Sequence, residues 1–217
     1  YGNDLGIEVV EVFSLDEALQ EFTGKTFRTG NGDIRVDSKY NQVMEDLADG
    51  LCQRTEGLTR AVEKNAVDAM LEDAKTIADN LSQQGVEAND KGSYYAAASF
   101  CFGANVRYKF LDLVSEDLSN EEILSRLEIV DNYVLEIRNN LKNASTVSDA
   151  QILAIVLDRL TEAERHSNLS STILNQQKTD RIFQLAFAIE RIESAKAWSR
   201  FFGVMEEATI TQDVIKN

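Results

Sequence analysis

Proline does not occur anywhere in this 217-residue chain. Average usage of about 5% would predict roughly ten prolines at this length. All-β and loop-rich folds use proline to end strands and shape turns, so its absence favours long, uninterrupted helices with short connections. We therefore expect a mainly α protein.

The charge balance limits the classes of partner. The chain has 22 Lys+Arg against 37 Asp+Glu, a formal net charge of −15. A field of this sign repels phosphate backbones and anionic lipid head groups. The sequence also contains no stretch of about 18 or more apolar residues. We expect no nucleic-acid partner and no membrane insertion by this chain.

Residues 1–24 differ in pattern from the rest of the chain. Residues 7–13 are rich in β-branched side chains, which is typical of a strand buried in a parallel sheet. Ser14 then begins a capping-box pattern, and an apolar stripe over 15–22 predicts a short helix that ends at Gly24. Such a strand needs neighbours that nothing nearby supplies. Because the chain also does not begin with Met, we expect this segment to be the end of a truncated α/β domain.

Residues 25–36 carry a second β signal. Two alternating runs flank Gly30-Asn31-Gly32, and Asn-Gly between such runs is a strong hairpin signal. The same glycines match the start of a nucleotide-binding loop, but the third glycine, the preceding strand and the following helix are missing. We predict a β-hairpin linker and no phosphate site.

From residue 37 onward, apolar residues recur at three- and four-residue steps. This pattern predicts that residues 37–217 form an antiparallel bundle of about five long helices. The first span, up to a stop at Gln83-Gln84-Gly85, is either one helix or two helices joined near residues 50–57. The other predicted helices begin near Ser93, Ser119, Ser148 and either Thr179 or Asp180.

The predicted helix from Ser93 carries aromatic residues on nearly every face. Helices of this kind are usually buried in the centre of a bundle, which is our interpretation here. The alternative is an exposed peptide-binding groove, with Tyr94, Tyr95 and Phe102 as the candidate interaction surface. A third hypothesis, a small-molecule sensor, predicts a ligand-sized cavity beside Tyr95 and Phe102.

The two cysteines, Cys52 and Cys101, form an even pair. If residues 38–84 were one straight helix and the next helix ran back along it, the two would lie ~35 Å apart at ~1.5 Å of rise per residue. A helix break near residues 50–57 would bring them together. We favour two buried thiols and keep a Cys52–Cys101 disulfide as the alternative.

The sequence lacks the residues and motifs that most kinds of catalytic site require. The only histidine is His166, so a two-histidine zinc site or a di-iron bundle cannot be assembled from one chain. We expect His166 and Glu162 to form a surface helix pair. The chain has neither a Gly-x-Ser-x-Gly elbow nor a phosphate-binding P-loop. The sequence predicts no catalytic residue, no metal ligand and no cofactor within this chain.

Two segments carry a resemblance to a known family. The run Leu5-Gly6-Ile7-Glu8-Val9-Val10-Glu11-Val12, followed by Ser14-Leu15-Asp16-Glu17-Ala18-Leu19, resembles the end of the proteolytic domain of Lon-type serine proteases. The helical remainder, with Tyr94-Tyr95-Ala96-Ala97-Ala98 and Phe102-Gly103-Ala104-Asn105, resembles the C-terminal region of archaeal Lon-like serine proteases that lack the ATPase module.

The resemblance implies a parent serine endopeptidase with a Ser-Lys dyad, in which lysine acts as the general base. Neither dyad residue maps onto a position in this chain, so we expect it to be inactive alone. It would then be a non-catalytic helical domain that assembles subunits, presents substrate or restricts access. The implied partners are a polypeptide substrate or the chain's own protease domain, in a homo-oligomer, and the implied location is extracytoplasmic or membrane-tethered. The alternative is a freestanding helical interaction module without a peptidase.

Overall fold

The structure is a computed structural model, and it describes residues 10, 12, 15–25, 38–63, 71–172 and 178–204. The chain divides into two compact units, Tyr1–Val36 and Asp37–Asn217. The described residues form seven α-helices and no extended strand. The prediction of a mainly helical protein is confirmed.

In the first unit, helix α1 spans Leu15–Thr23. It ends at Gly24, which has a φ of +66° and donates its N–H to the carbonyl of Gln20. A positive φ favours glycine at a helix C-terminus, so the predicted helix end is confirmed. The structure gives no support to the predicted strand over 7–13, of which only residues 10 and 12 are described, both outside any strand. The predicted hairpin over 25–36 lies outside the described residues, apart from residue 25.

The second unit is a bundle of six long helices within the described residues, where the sequence predicted about five. Consecutive helices run antiparallel, so α2, α4 and α6 share one direction and α3, α5 and α7 the other. Contacts place α4 against α2, α3 and α7, and α7 against α4, α5 and α6. The bounds are α2 Ser38–Glu63, α3 Glu72–Asp90, α4 Tyr94–Ser115, α5 Asn120–Asn140, α6 Val147–Thr172 and α7 Lys178–Ser199.

The predicted boundaries of the first helical span are wrong. Helix α2 continues through Gly50 and Gly57, and α3 continues through Gly85 to Asp90. Gly85 is buried against α4, where an added Cβ would lie 2.5 Å from the Sγ of Cys101. This glycine therefore permits a close approach of two helices and does not end one.

Helix α4 is the centre of the bundle, as its aromatic character predicted. Its small residues, including Ala97 and Ala104, have no exposed surface, and this allows α2 and α3 to pack closely on it. Its larger residues fill the remaining space: the ring of Phe110 meets Phe183 of α7 edge-on, with centroids 5.6 Å apart. Burial on several sides explains why the helix lacks a polar face.

Helix starts follow the polar residues that precede them. Helix α5 begins after Ser119, as the sequence predicted, and Ser119 and Glu122 form a reciprocal capping box there. For α6 the predicted cap was Ser148, but the helix begins at Val147, and the hydroxyl of Thr146 accepts the N–H of Asp149. Asp149 also accepts the N–H of Gly203, which ties the turn after α7 to the start of α6.

Candidate functional site

An apolar groove opens at one end of the bundle, where the N-terminal parts of α2, α4 and α6 meet the C-terminal turn of α7. Its volume is about 420 Å³, within the range of about 300–1,000 Å³ typical of ligand sites. Tyr95 on its rim is 61% exposed and Tyr40 is 41% exposed. We call this site the end groove; its lining is Tyr40, Val43, Met44, Tyr95, Ser148, Gln151, Ile152, Ala154, Ile155 and Trp198.

The end groove exists because four helix ends supply side chains of unequal size. Val43, Met44 and Ile152 are buried and form its floor, and Trp198 closes one end. Trp198 is held in place by an edge-on contact with the ring of Phe201, with centroids 6.3 Å apart. A rigid apolar floor with exposed aromatic rings above it is the arrangement that binds an apolar side chain from a partner.

A smaller pocket of about 50 Å³, with a lining of mixed polarity, adjoins the end groove and shares Tyr95 and Trp198 with it. Arg159 of α6 and Arg191 of α7 line this pocket, together with Ser194. We call it the arginine pocket. The shared walls join an apolar surface to two guanidinium groups.

Arg191 is held by aromatic rings and one carboxylate. Its guanidinium lies 4.1 Å from the ring centre of Phe102 and 5.0 Å from that of Phe187. Its Nε lies 2.8 Å from Oε2 of Glu162, but these atoms make no hydrogen bond with each other. Burial lowers the pKa of Arg191, the carboxylate of Glu162 opposes this, and the positive charge of Arg159 adds to it.

The carboxylate of Glu162 is shared between two arginines. It lies 3.5 Å from Arg159 as well as 2.8 Å from Arg191. Arg159 also pairs with Asp158, whose side chain is 62% exposed and therefore strongly screened by water. The lining of the arginine pocket thus carries two guanidinium groups and no carboxylate, since Glu162 and Asp158 pair with them from outside the lining.

Of the three residues of the predicted interaction surface, Tyr95 and Phe102 both line the arginine pocket, and Tyr94 lines neither site. Tyr95 lies on the rim of the end groove, and Phe102 lines the arginine pocket. Tyr94 points elsewhere: its hydroxyl bonds to Glu45, and desolvation together with that carboxylate raises its pKa. The Phe102 ring is close-packed, with its centroid 5.8 Å from that of Phe187, so the predicted sensor cavity is present beside Tyr95 only.

Sequence reasoning missed Tyr40, Trp198, Arg159 and Arg191 as members of one site. They lie on three different helices, and no spacing along the chain relates them. The exposed aromatic at the start of α4 was the only signal in the sequence that pointed toward the site.

Cys52 of α2 and Cys101 of α4 form a disulfide, with Cα atoms 5.0 Å apart. The preference for two free thiols is therefore wrong. It assumed one straight helix over residues 38–84, but α2 ends at Glu63 and α4 runs parallel to it, so the two cysteines lie side by side. Disulfides form and persist in oxidising compartments.

His166 does not form the predicted surface pair. It is 7% exposed, its ring stacks on Phe187 at 3.9 Å between centroids, and its Nδ1 hydrogen-bonds to Oε1 of Gln184. Burial lowers its pKa, because the charged form loses water. The cause of the error is α7, which covers this face of α6.

A buried ion pair links α2 to α7. Glu190 is 1% exposed, and its two oxygens accept hydrogen bonds of 2.6 and 2.7 Å from Nε and Nη2 of Arg54. Burial raises the pKa of Glu190, whereas the hydrogen bonds from Arg54 oppose that rise. Both residues are fully engaged with each other, and this makes the pair a structural connection.

The described residues contain no cluster of histidine, cysteine, aspartate and glutamate that could hold a metal ion. Lys75, Lys109, Lys178 and Lys196 each donate to a carboxylate and not to a serine hydroxyl. A Ser-Lys dyad would require a lysine beside a serine. Among the described residues, no helix is long and apolar enough to cross a membrane.

Comparisons of the chain with protein-family profiles, with curated proteins and with solved structures find no match.

Proposed function

We propose that residues 37–217 are a non-catalytic helical domain that binds polypeptide through the end groove. We further propose that it is the C-terminal part of a Lon-like serine peptidase, in which it assembles subunits, presents substrate or controls access to the catalytic face. The binding proposal depends on one observation: an apolar groove of about 420 Å³ whose rim exposes Tyr40 and Tyr95.

The chemistry of the groove favours polypeptide over most other ligands. Its floor is aliphatic and its rim is aromatic, which suits one or two apolar side chains of an extended segment. The net charge of −15 disfavours nucleic acid and anionic lipid. Polypeptide is the class that matches both a substrate of a peptidase and the peptidase domain itself.

The link to a peptidase rests on the resemblance of residues 5–19 and 94–105 to Lon-like proteases. The Cys52–Cys101 disulfide supports it independently, because an oxidising compartment agrees with the extracytoplasmic location that the resemblance implies. A freestanding interaction module with the same groove is the alternative, and it needs no upstream catalytic domain.

The peptidase link is tested by expressing the parent gene from its own start and assaying it, beside the 217-residue chain, with a fluorogenic peptide and with casein. We expect activity in the full protein and none in the 217-residue chain. A reading frame that starts near Tyr1, or a folded full-length protein without activity, would refute the link and leave the freestanding module.

The binding proposal is tested on the 217-residue chain by the fluorescence anisotropy of labelled casein, which is an unfolded polypeptide. Substituting Tyr40→Ala and Tyr95→Ala together removes the exposed rim, and we expect about tenfold weaker binding or more. Tyr133→Ala is the matched control, since Tyr133 is 43% exposed on α5 and does not line the groove. An equal loss from Tyr133→Ala, or no loss from the double substitution, would contradict the proposal.

A further inference from the structure

We propose that the end groove and the arginine pocket together bind the C-terminus of a polypeptide, with its last apolar side chain in the groove and its α-carboxylate in the pocket. This inference rests on the proposed polypeptide-binding function and names the part of the polypeptide that is bound.

The first support is geometric. The two sites share Tyr95 and Trp198 as walls, so a ligand in the groove is next to the guanidinium groups of Arg159 and Arg191. The arginine pocket has a volume of about 50 Å³, enough for a carboxylate but not for a phosphorylated nucleoside. An apolar group joined directly to a small planar anion therefore fits the combined site.

The second support is the state of Arg191. Its side chain is only 15% exposed, yet within the described part of the chain it donates no hydrogen bond, and the Glu162 carboxylate beside it is not aligned to accept one. The buried donor without a hydrogen bond is its Nε, and leaving a buried donor unpaired is costly. A carboxylate that accepts from this fork would remove the cost.

The third support is charge. Arg159 and Arg191 share the single carboxylate of Glu162, while the other partner, Asp158, is mostly in water. The lining of this pocket presents two guanidinium groups and no carboxylate to a ligand. A polypeptide carries one α-carboxylate at its end, attached to the same Cα as its last side chain, whereas an internal segment can supply a carboxylate only from an Asp or Glu side chain next to the apolar residue.

The test uses two peptides that differ at one group, N-acetylated Ser-Gly-Ala-Leu-Phe with a free carboxylate and the same peptide as its C-terminal amide. Trp198 is the only tryptophan of the chain and lines both sites, so its fluorescence reports binding directly. We expect the free acid to bind at least about tenfold more tightly than the amide, as is typical for loss of a charge-assisted hydrogen bond.

Substitutions test whether the preference for the free acid depends on the arginine pocket. Arg159→Gln should weaken the free acid to the level of the amide and leave the amide unchanged, and Arg159→Lys should keep part of the preference. Arg138→Gln is the matched control, because Arg138 makes a comparable pair with Glu164 away from both sites. The comparison of acid with amide in the unmodified chain needs no variant, so it remains decisive if a variant fails to fold.

The outcomes separate this inference from the proposed function. Equal binding of acid and amide, lost with Tyr40→Ala and Tyr95→Ala, would overturn the carboxylate assignment and leave polypeptide binding intact. Absence of binding by both peptides and by casein would overturn both proposals. Tighter binding of decanoate than of the free-acid peptide would also overturn the inference, since the ligand would then be a small carboxylate.

Discussion

Replacing Gly85 with alanine tests the close contact between α3 and the disulfide. The new Cβ would lie 2.5 Å from Sγ of Cys101, whereas the next neighbours, the N of Cys101 and the O of Ala97, lie at ordinary distances of 3.5 and 3.7 Å. The sulfur cannot move away easily, because it is bonded to Cys52 on α2. The cost of the substitution therefore depends on one atom.

The expected change in the free energy of unfolding is the sum of two opposing effects. Alanine in a helix interior gains about 1 kcal/mol over glycine. Overpacking costs about 1–3 kcal/mol, and a tethered sulfur places this case near the upper value. We expect a net loss of about 2 kcal/mol in the free energy of unfolding. For a unit of this size that corresponds to a Tm about 4–8 °C lower.

The control for this prediction is a variant that lacks the disulfide and therefore the Cys101 sulfur. Cys52→Ala with Cys101→Ala should cost about 4 kcal/mol by itself, because the disulfide closes a loop between residues 49 positions apart. In that background Gly85→Ala should stabilise by up to about 1 kcal/mol, a coupling of about 3 kcal/mol between the sites. Urea unfolding followed by circular dichroism, without reductant, measures all four proteins. The same sign of effect in both backgrounds would refute the contact.

Three further predictions concern stability. Gly50→Ala and Gly57→Ala should each raise the free energy of unfolding by about 0.5–1 kcal/mol in urea titrations. An added Cβ meets nothing within 4 Å at either position, so only the gain in helix propensity remains. A loss of stability from either substitution would mean that the helix is not continuous there. Arg54→Met should destabilise by about 3–5 kcal/mol because it leaves Glu190 buried and unpaired, and adding Glu190→Leu should restore most of that loss; an undiminished loss in the double variant would contradict this. Burial lowers the pKa of His166, so the unfolded chain binds the proton more readily: stability is complete above the unfolded pKa of about 6.5 and falls as pH decreases toward the folded pKa. Urea midpoints between about pH 7.5 and 5 should show this decline reduced in His166→Gln, and an unchanged pH profile would exclude that histidine as its source.

Sequence patterns predicted helix starts and ends well where contacts within a few residues determine them. The start of α5 after Ser119, and the end of α1 at Gly24, depend on backbone groups within a few residues. The absence of proline and the three- and four-residue apolar spacing were sufficient for the class of fold. These features need no knowledge of neighbours in space.

The errors in the helix boundaries occurred at glycines, because a glycine can either end a helix or lie within one. Gly85 reads as a helix stop in the sequence, but it is a contact point with Cys101 in the middle of the packed α3. Gly50 and Gly57 read as a break, but α2 continues through both, because packing on α4 and α7 outweighs their weak helix propensity. The wrong state of the cysteines had another source, the assumption that residues 38–84 form one straight helix, whereas α2 ends at Glu63.

The sequence by itself determined a mainly helical, strongly acidic chain without proline, in which the aromatic helix is central. Only the tertiary structure decided that Cys52 and Cys101 are bonded, that His166 is buried, and that Tyr95, Trp198, Arg159 and Arg191 adjoin one another. The physical reason is that helix formation depends on neighbours three or four positions away, whereas a groove depends on which helix ends meet. That meeting is set by the packing of α4 and α7, and no periodicity within one helix encodes it.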